Sequence, residues 1–198
     1  MNYLAHLYLA RHSDDAMLGA LLGDFVFGTT GPDAYAPPIR REIHLHRQID
    51  SYTDAHPAVD AARDFFADGR RRFSGIALDV FYDHCLAREW ERWSEVALDE
   101  FTAGFYAHLL ANLPILPARL QRIAPFMAQQ DWLGSYRERD NVDLAVRRIA
   151  TRLSRSGDRL VACLEDLREH EAEISRGFQA LFPDLVARSR ALRTRAPD

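Results

Sequence analysis

The sequence predicts an all-α protein: a compact, single-domain bundle of packed helices over residues 1–195, with a short tail at 196–198. Three observations point there. Apolar residues recur three and four positions apart through nearly the whole chain, the spacing of a buried helical face. No segment alternates apolar and polar residues over a useful length, and no repeat with a period of about 20–50 residues stands out. Capping and turn residues cut the chain into helix-sized pieces.

The elements follow in order. Residues 2–11 form a short apolar run broken by His6. Ser13-Asp14-Asp15 reads as an N-cap with acids in the first turn, and the helix it starts runs through Leu18, Leu21, Leu22, Phe25 and Val26 to a stop near Gly28. Residues 29–38 are a loop by their Thr, Gly and Pro content. A helix is predicted over 39–53. Pro57 suits the first turn of the next, which has Asp54 or His56 near its cap, carries Val59, Ala62, Phe65 and Phe66, and ends near Asp68-Gly69. Ser74 is placed as the cap of a long helix through Leu78, Phe81, Leu86 and Trp90. Further helices are expected over 95–112, 117–129, 140–155 and 157–181, with Pro183 opening a last one, 183–195, and a frayed tail.

Composition narrows the function. With 198 residues, 47% hydrophobic and 27% charged, the chain can fill one real core and has the make-up of a soluble globular protein. A net charge of −4 and a pI near 6.1 argue against a general nucleic-acid binder. All 25 basic residues are arginine, the better bidentate partner for carboxylates and phosphates, although a GC-rich genome is the simpler reason. Cys85 and Cys163 stand alone, outside any CxxC, which suits a reducing, cytoplasmic compartment. The start of the chain lacks a basic leader, and no run reaches the ~18 apolar residues of a membrane span.

Chemistry concentrates in the first 90 residues, where five of the eight histidines fall before position 57. In His44-Leu45-His46-Arg47-Gln48-Ile49-Asp50 … Asp54, helical spacing sets His46, Asp50 and Asp54 at i, i+4 and i+8, with Arg47 beside them. A histidine and a carboxylate one turn apart can chelate a divalent cation, and mixed N/O donors suit Mn, Fe, Zn or Mg. In Asp79-Val80-Phe81-Tyr82-Asp83-His84, two carboxylates one turn apart lie among apolar neighbours and need a cation, an arginine or hydrogen bonds. Asp24, within Leu22-Gly23-Asp24-Phe25-Val26, and His6, within Leu4-Ala5-His6-Leu7, pose the same question. Singly, each has an ordinary explanation: a hydrogen-bonded core histidine, an exposed helix pair, a cap. Their coincidence on four separate apolar helices is what favours one shared cation.

These motifs, in this order and spacing, resemble the acyl carrier protein phosphodiesterase (holo-ACP hydrolase) family. The resemblance rests on Met1-Asn2-Tyr3-Leu4-Ala5-His6-Leu7, Leu22-Gly23-Asp24-Phe25-Val26, His44 through Asp54 and Leu78 through His84. Gln130-Asp131-Trp132-Leu133 … Tyr136-Arg137 and Phe182-Pro183 extend it over nearly the full length. It implies hydrolysis of the phosphodiester between 4′-phosphopantetheine and a serine of acyl carrier protein, with a divalent cation, manganese favoured. It also implies an HD-domain-like helical fold, although the adjacent pair here runs Asp83-His84, the reverse of His-Asp.

Within that resemblance, Asp24, His46, Asp50 and Asp83 are the leading candidates as metal ligands or their support. His6, His44, Asp79 and His84 follow, as ligands, supporting groups or the acid for the leaving serine oxygen. Arg47 is the candidate phosphate clamp, so that Asp24, Arg47, Asp83 and His84 make up the expected catalytic set. The partner is an acidic protein. Arg70-Arg71-Arg72, the series Arg148, Arg152, Arg155, Arg159, and Arg188, Arg190, Arg193, Arg195 are the candidate docking patches. Two other readings stand beside this one. The first is a helical metal phosphohydrolase acting on a small phosphoester such as a nucleotide. The second is a non-catalytic helical module for acidic partners.

Overall fold

The computed structural model describes residues 3–28, 31–153 and 155–195. Expectations that touch Met1, Asn2, Thr29, Thr30, Ser154 and the tail 196–198 lie outside the described residues, as does the side chain of Arg195. The described residues form ten α-helices and no strand. They are α1 (Tyr3–Leu9), α2 (Asp14–Leu22), α3 (Pro37–Asp54), α4 (Pro57–Arg63), α5 (Arg71–Arg88), α6 (Leu98–Ala111), α7 (Ala118–Gln129), α8 (Arg139–Ala150), α9 (Gly157–Glu169) and α10 (Glu171–Arg195).

The apolar inventory explains the arrangement. In α1, Leu4 through Leu9 are all buried, so this helix runs through the core rather than along its edge. It packs against α2 and α5. Ser13 caps α2 as its sequence indicates, its Oγ accepting from the Ala16 amide at 3.1 Å. The longest helix–helix seam joins α2 to α3. Two glycines one turn apart, Gly19 and Gly23, let these backbones meet: a Cβ on Gly19 would stand 2.3 Å from the Ile39 carbonyl oxygen. On the other side, α10 covers α3, α4 and α5, while α8 and α9 pack on each other and on α5.

One buried ion pair ties the last helix to the third. Glu42 is 2% exposed and accepts two hydrogen bonds from Arg193, at 2.7 and 2.8 Å. The bidentate geometry satisfies both carboxylate oxygens in the interior.

Several helix ends differ from the sequence reading. The second helix stops at Leu22 and not near Gly28, because the amides of Asp24, Phe25 and Val26 turn back to the Leu21 and Leu22 carbonyls at 3.3, 2.9 and 2.9 Å. Phe25 and Val26 are buried in that turn and imitate helical periodicity. His56, not Asp54, caps α4, and α4 closes at Arg63, short of Asp68-Gly69. Ser74 is no cap: α5 starts at Arg71, and the Ser74 hydroxyl donates to the Arg71 carbonyl at 2.7 Å. The break near the C-terminus falls at His170, and α10 continues through Pro183. Phe178, Leu181, Phe182 and Leu185, all fully buried around that proline, offset its missing hydrogen bond. The arginine series from Arg148 to Arg159 is no stripe, since α8 ends at Ala150 and Ser156 turns the chain with φ +66°.

Candidate metal centre

Two helices and one turn bring four of the predicted residues together. His6 comes from α1, His46 and Asp50 from α3, and Asp24 from the turn after α2. Asp50 bridges the two imidazoles: Oδ1 lies 3.0 Å from His6 Nε2, and Oδ2 lies 3.1 Å from His46 Nε2. Asp24 Oδ1 is 3.5 Å from the same His46 nitrogen. The two imidazole rings stack with centroids 3.8 Å apart. Among the described residues, His6, His46 and Asp50 form a group able to hold a metal ion, their ligand atoms all within 4.8 Å of one another.

Local sequence fixes this geometry. The i, i+4 spacing of His46 and Asp50 puts both on one stripe of α3. His46 Nδ1 donates to the Ala20 carbonyl at 2.7 Å, which directs Nε2 at the carboxylates. Gly23 makes room for that ring, since a Cβ there would lie 2.2 Å from His46 Cγ. The histidines are buried, whereas the Asp24 and Asp50 side chains are 40% and 37% exposed, so the carboxylates form the open face.

The electrostatics are those of a site that wants a cation. Burial disfavours a charged His46, yet hydrogen bonds with Asp24 and Asp50 outweigh it and carry the ring up to about 9. Burial, reinforced by His46, takes His6 down to about 4. Burial favours a protonated Asp50, but hydrogen bonds from His46 and His6 overcome it and hold this carboxyl far below its usual range. Two carboxylates thus share a proton on His46, in a position that a divalent cation with N and O donors could fill. The donor set fits such an ion.

The other candidates stand elsewhere. Asp83 is fully buried, but both its oxygens are taken by the first amides of α1, Leu4 at 2.8 Å and Ala5 at 3.0 Å. It anchors the helix that carries His6, the supporting one of the two roles that the sequence left open for it. Burial pushes its carboxyl up to about 7 despite those two donors. Asp79, one turn earlier, is half-buried, raised first by burial and further by Asp50 and Asp54, and lies outside the three-donor group. His84 gives its Nδ1 to the Tyr136 carbonyl at 2.7 Å, and His44 faces a different cleft, beside His12 and Arg41. Arg47 donates to the Val26 and Gly28 carbonyls at 2.8 and 3.3 Å, strapping the turn that holds Asp24 instead of standing free as a clamp. Asp54 pairs with Arg63 at 2.6 Å. The sequence reading missed the Ala20 carbonyl, the Gly23 clearance and Tyr3, whose ring lies against Phe25.

Asp83→Asn tests the anchoring role. The amide offers one acceptor where two amides need partners, so unfolding free energy should fall by about 1–3 kcal/mol. Denaturant unfolding checks this, and a variant as stable as the wild type would return Asp83 to the list of possible ligands.

No helix among the described residues is long and apolar enough to cross a membrane. No solved structure matches the chain. Residues 1–185 match the family model described as acyl carrier protein phosphodiesterase. Curated proteins of that name are similar along almost their whole length. The protein from Yersinia enterocolitica is 33% identical over 190 residues, covering 96% of this chain and 97% of its own. One from Escherichia coli O157:H7 is 34% identical over 190 residues, with the same coverage. One from Serratia proteamaculans is 32% identical over 191 residues, covering 96% and 98%. With a match of this extent, the chain belongs to the acyl carrier protein phosphodiesterase family.

Proposed function

We propose that the protein hydrolyses the phosphodiester between 4′-phosphopantetheine and the serine of holo-acyl carrier protein, using a divalent cation, manganese preferred, held by His6, His46 and Asp50. The observation that carries this reading is the convergence of two imidazoles and two carboxylates from separate elements at one partly open point. A bound cation there supplies a Lewis acid that polarises a phosphoryl oxygen and lowers the pKa of a water. The protein does the rest by position. The Ala20 carbonyl keeps His46 Nε2 aimed inward, and Asp50 holds both rings in register. Asp24, on the open side, accepts the proton of the attacking water. The water oxygen bonds to phosphorus, the bond from phosphorus to the serine Oγ breaks, and that oxygen takes a proton from solvent while Asp24 returns to solvent the one it accepted. The products are the apo-carrier and 4′-phosphopantetheine.

The test is mass spectrometry of purified holo-carrier incubated with the protein and Mn²⁺. Conversion to the apo-carrier mass, abolished by EDTA, is the expected result. An unchanged carrier, beside metal-dependent hydrolysis of bis(p-nitrophenyl) phosphate, would move the assignment to small phosphoesters.

A further inference from the structure

A second cleft, of about 180 Å³, opens next to the metal centre between α7, α8 and the turn at Gly134–Arg137. Tyr3 links the two places. It lines the cleft, sits one turn before His6 on α1, and lies against Phe25, the neighbour of Asp24. Burial, with the Asp24 carboxylate close by, pushes its hydroxyl up to about 12. Tyr3 therefore stands between the cleft it lines and the turn that carries Asp24.

The lining has a definite chemistry. Trp132, Ala145 and Ile149 give apolar walls. Two amides stand among them with complementary groups left over. Gln130 spends its Oε1 on the Trp132 Nε1–H at 3.0 Å, which leaves its NH₂ to donate. Asn141 spends its Nδ2 on the Ser135 carbonyl at 2.9 Å, which leaves its Oδ1 to accept. One free donor and one free acceptor between apolar walls suit a secondary amide on an aliphatic chain. Arg148 and Arg152 also line the cleft and are exposed, with no ion pair among the described residues, so cationic groups flank the way to the centre.

We propose that this cleft seats the pantetheine arm, the neutral diamide chain beyond the phosphate, with Gln130 and Asn141 reading one of its amides. This rests on the phosphodiesterase reading and names where its substrate is recognised. The apolar walls take the gem-dimethyl and methylene groups, and the arm enters past Tyr3.

Calorimetry with free 4′-phosphopantetheine and with inorganic phosphate tests it. The wild-type protein should bind the pantetheine compound more tightly, and Ala145→Trp, which fills the cleft, should cut that margin by roughly tenfold or more. Gln130→Leu changes an exposed residue and so keeps the fold; loss of one hydrogen bond should cut the margin by about fivefold. Circular dichroism confirms that each variant is folded. No margin in the wild type, or an undiminished margin in folded Gln130→Leu, would overturn the cleft assignment. Holo-carrier turnover by the same wild-type sample reports separately on the phosphodiesterase reading: hydrolysis without a margin sinks the cleft alone, and a margin without hydrolysis sinks the reaction alone.

Discussion

Replacing Asp50 with alanine is expected to remove metal binding and phosphodiester hydrolysis together. Among the described residues, Asp50 is the side chain that pairs with both imidazoles, at 3.0 and 3.1 Å. Without it, two stacked rings face each other with Asp24 as the remaining carboxylate of the cluster, reaching only His46. Loss of an outer partner of a metal ligand costs roughly 10–100-fold in affinity or activity, and loss of this bridging ligand should exceed that range. The fold should hold, since the side chain is 37% exposed and closes no part of the core. Metal content after purification, Mn²⁺ titration and kcat/KM on holo-carrier are the measurements. Near-normal turnover with normal metal content in the folded variant would dismiss Asp50, and with it the centre as drawn.

Gly23→Ala should damage the same site by a different route. Its new methyl would lie 2.2 Å from His46 Cγ and 2.5 Å from Cδ2, well inside van der Waals contact. Either α2 withdraws from α3 or the imidazole swings off the Ala20 carbonyl. Overpacking of this kind costs about 1–3 kcal/mol in stability, and the displaced ring adds a loss of metal affinity that stability alone does not explain. Gly104→Ala is the matched control. It lies within α6 with nothing within 4 Å of the added atom, so it should leave activity alone and gain up to about 1 kcal/mol. Activity lost at position 23 and kept at position 104 is the expected pattern; wild-type activity in Gly23→Ala would show that His46 need not stand where it does.

The all-helical architecture was legible because periodicity and caps are local signals, and Ser13 displays the cap that its sequence advertises. The His46–Asp50 pair was legible for the same reason. Asp54 left the stripe because eight residues at about 100° each come round roughly 80° out of phase, and it found Arg63 instead. Asp83 was misleading in a different way. A buried acid in an apolar helix must be satisfied, but the sequence cannot show that two backbone amides of another helix do it. The Ala20 carbonyl was equally invisible, being main chain. His170 interrupts the C-terminal helices without glycine or proline, while Pro183 sits inside α10, so punctuation residues pointed to the wrong joint. Which faces of α1, α2 and α3 meet is a property of packing, and no spacing along one helix encodes it.

The clamp between Glu42 and Arg193 has a bearing on where the chain can be shortened. The stretch shared with the family closes at residue 185, yet Arg193 lies beyond it. A protein trimmed to the shared stretch would take from Glu42 both its Arg193 partner and the cover of Leu192, one turn before His46 on the helix that also carries Asp50. Arg193→Ala, which leaves α10 in place over the carboxylate, should cost about 3–5 kcal/mol in denaturant unfolding, enough to loosen α3 itself. The last residues of α10, far in sequence from the candidate metal centre, therefore help hold in place the helix that carries His46 and Asp50.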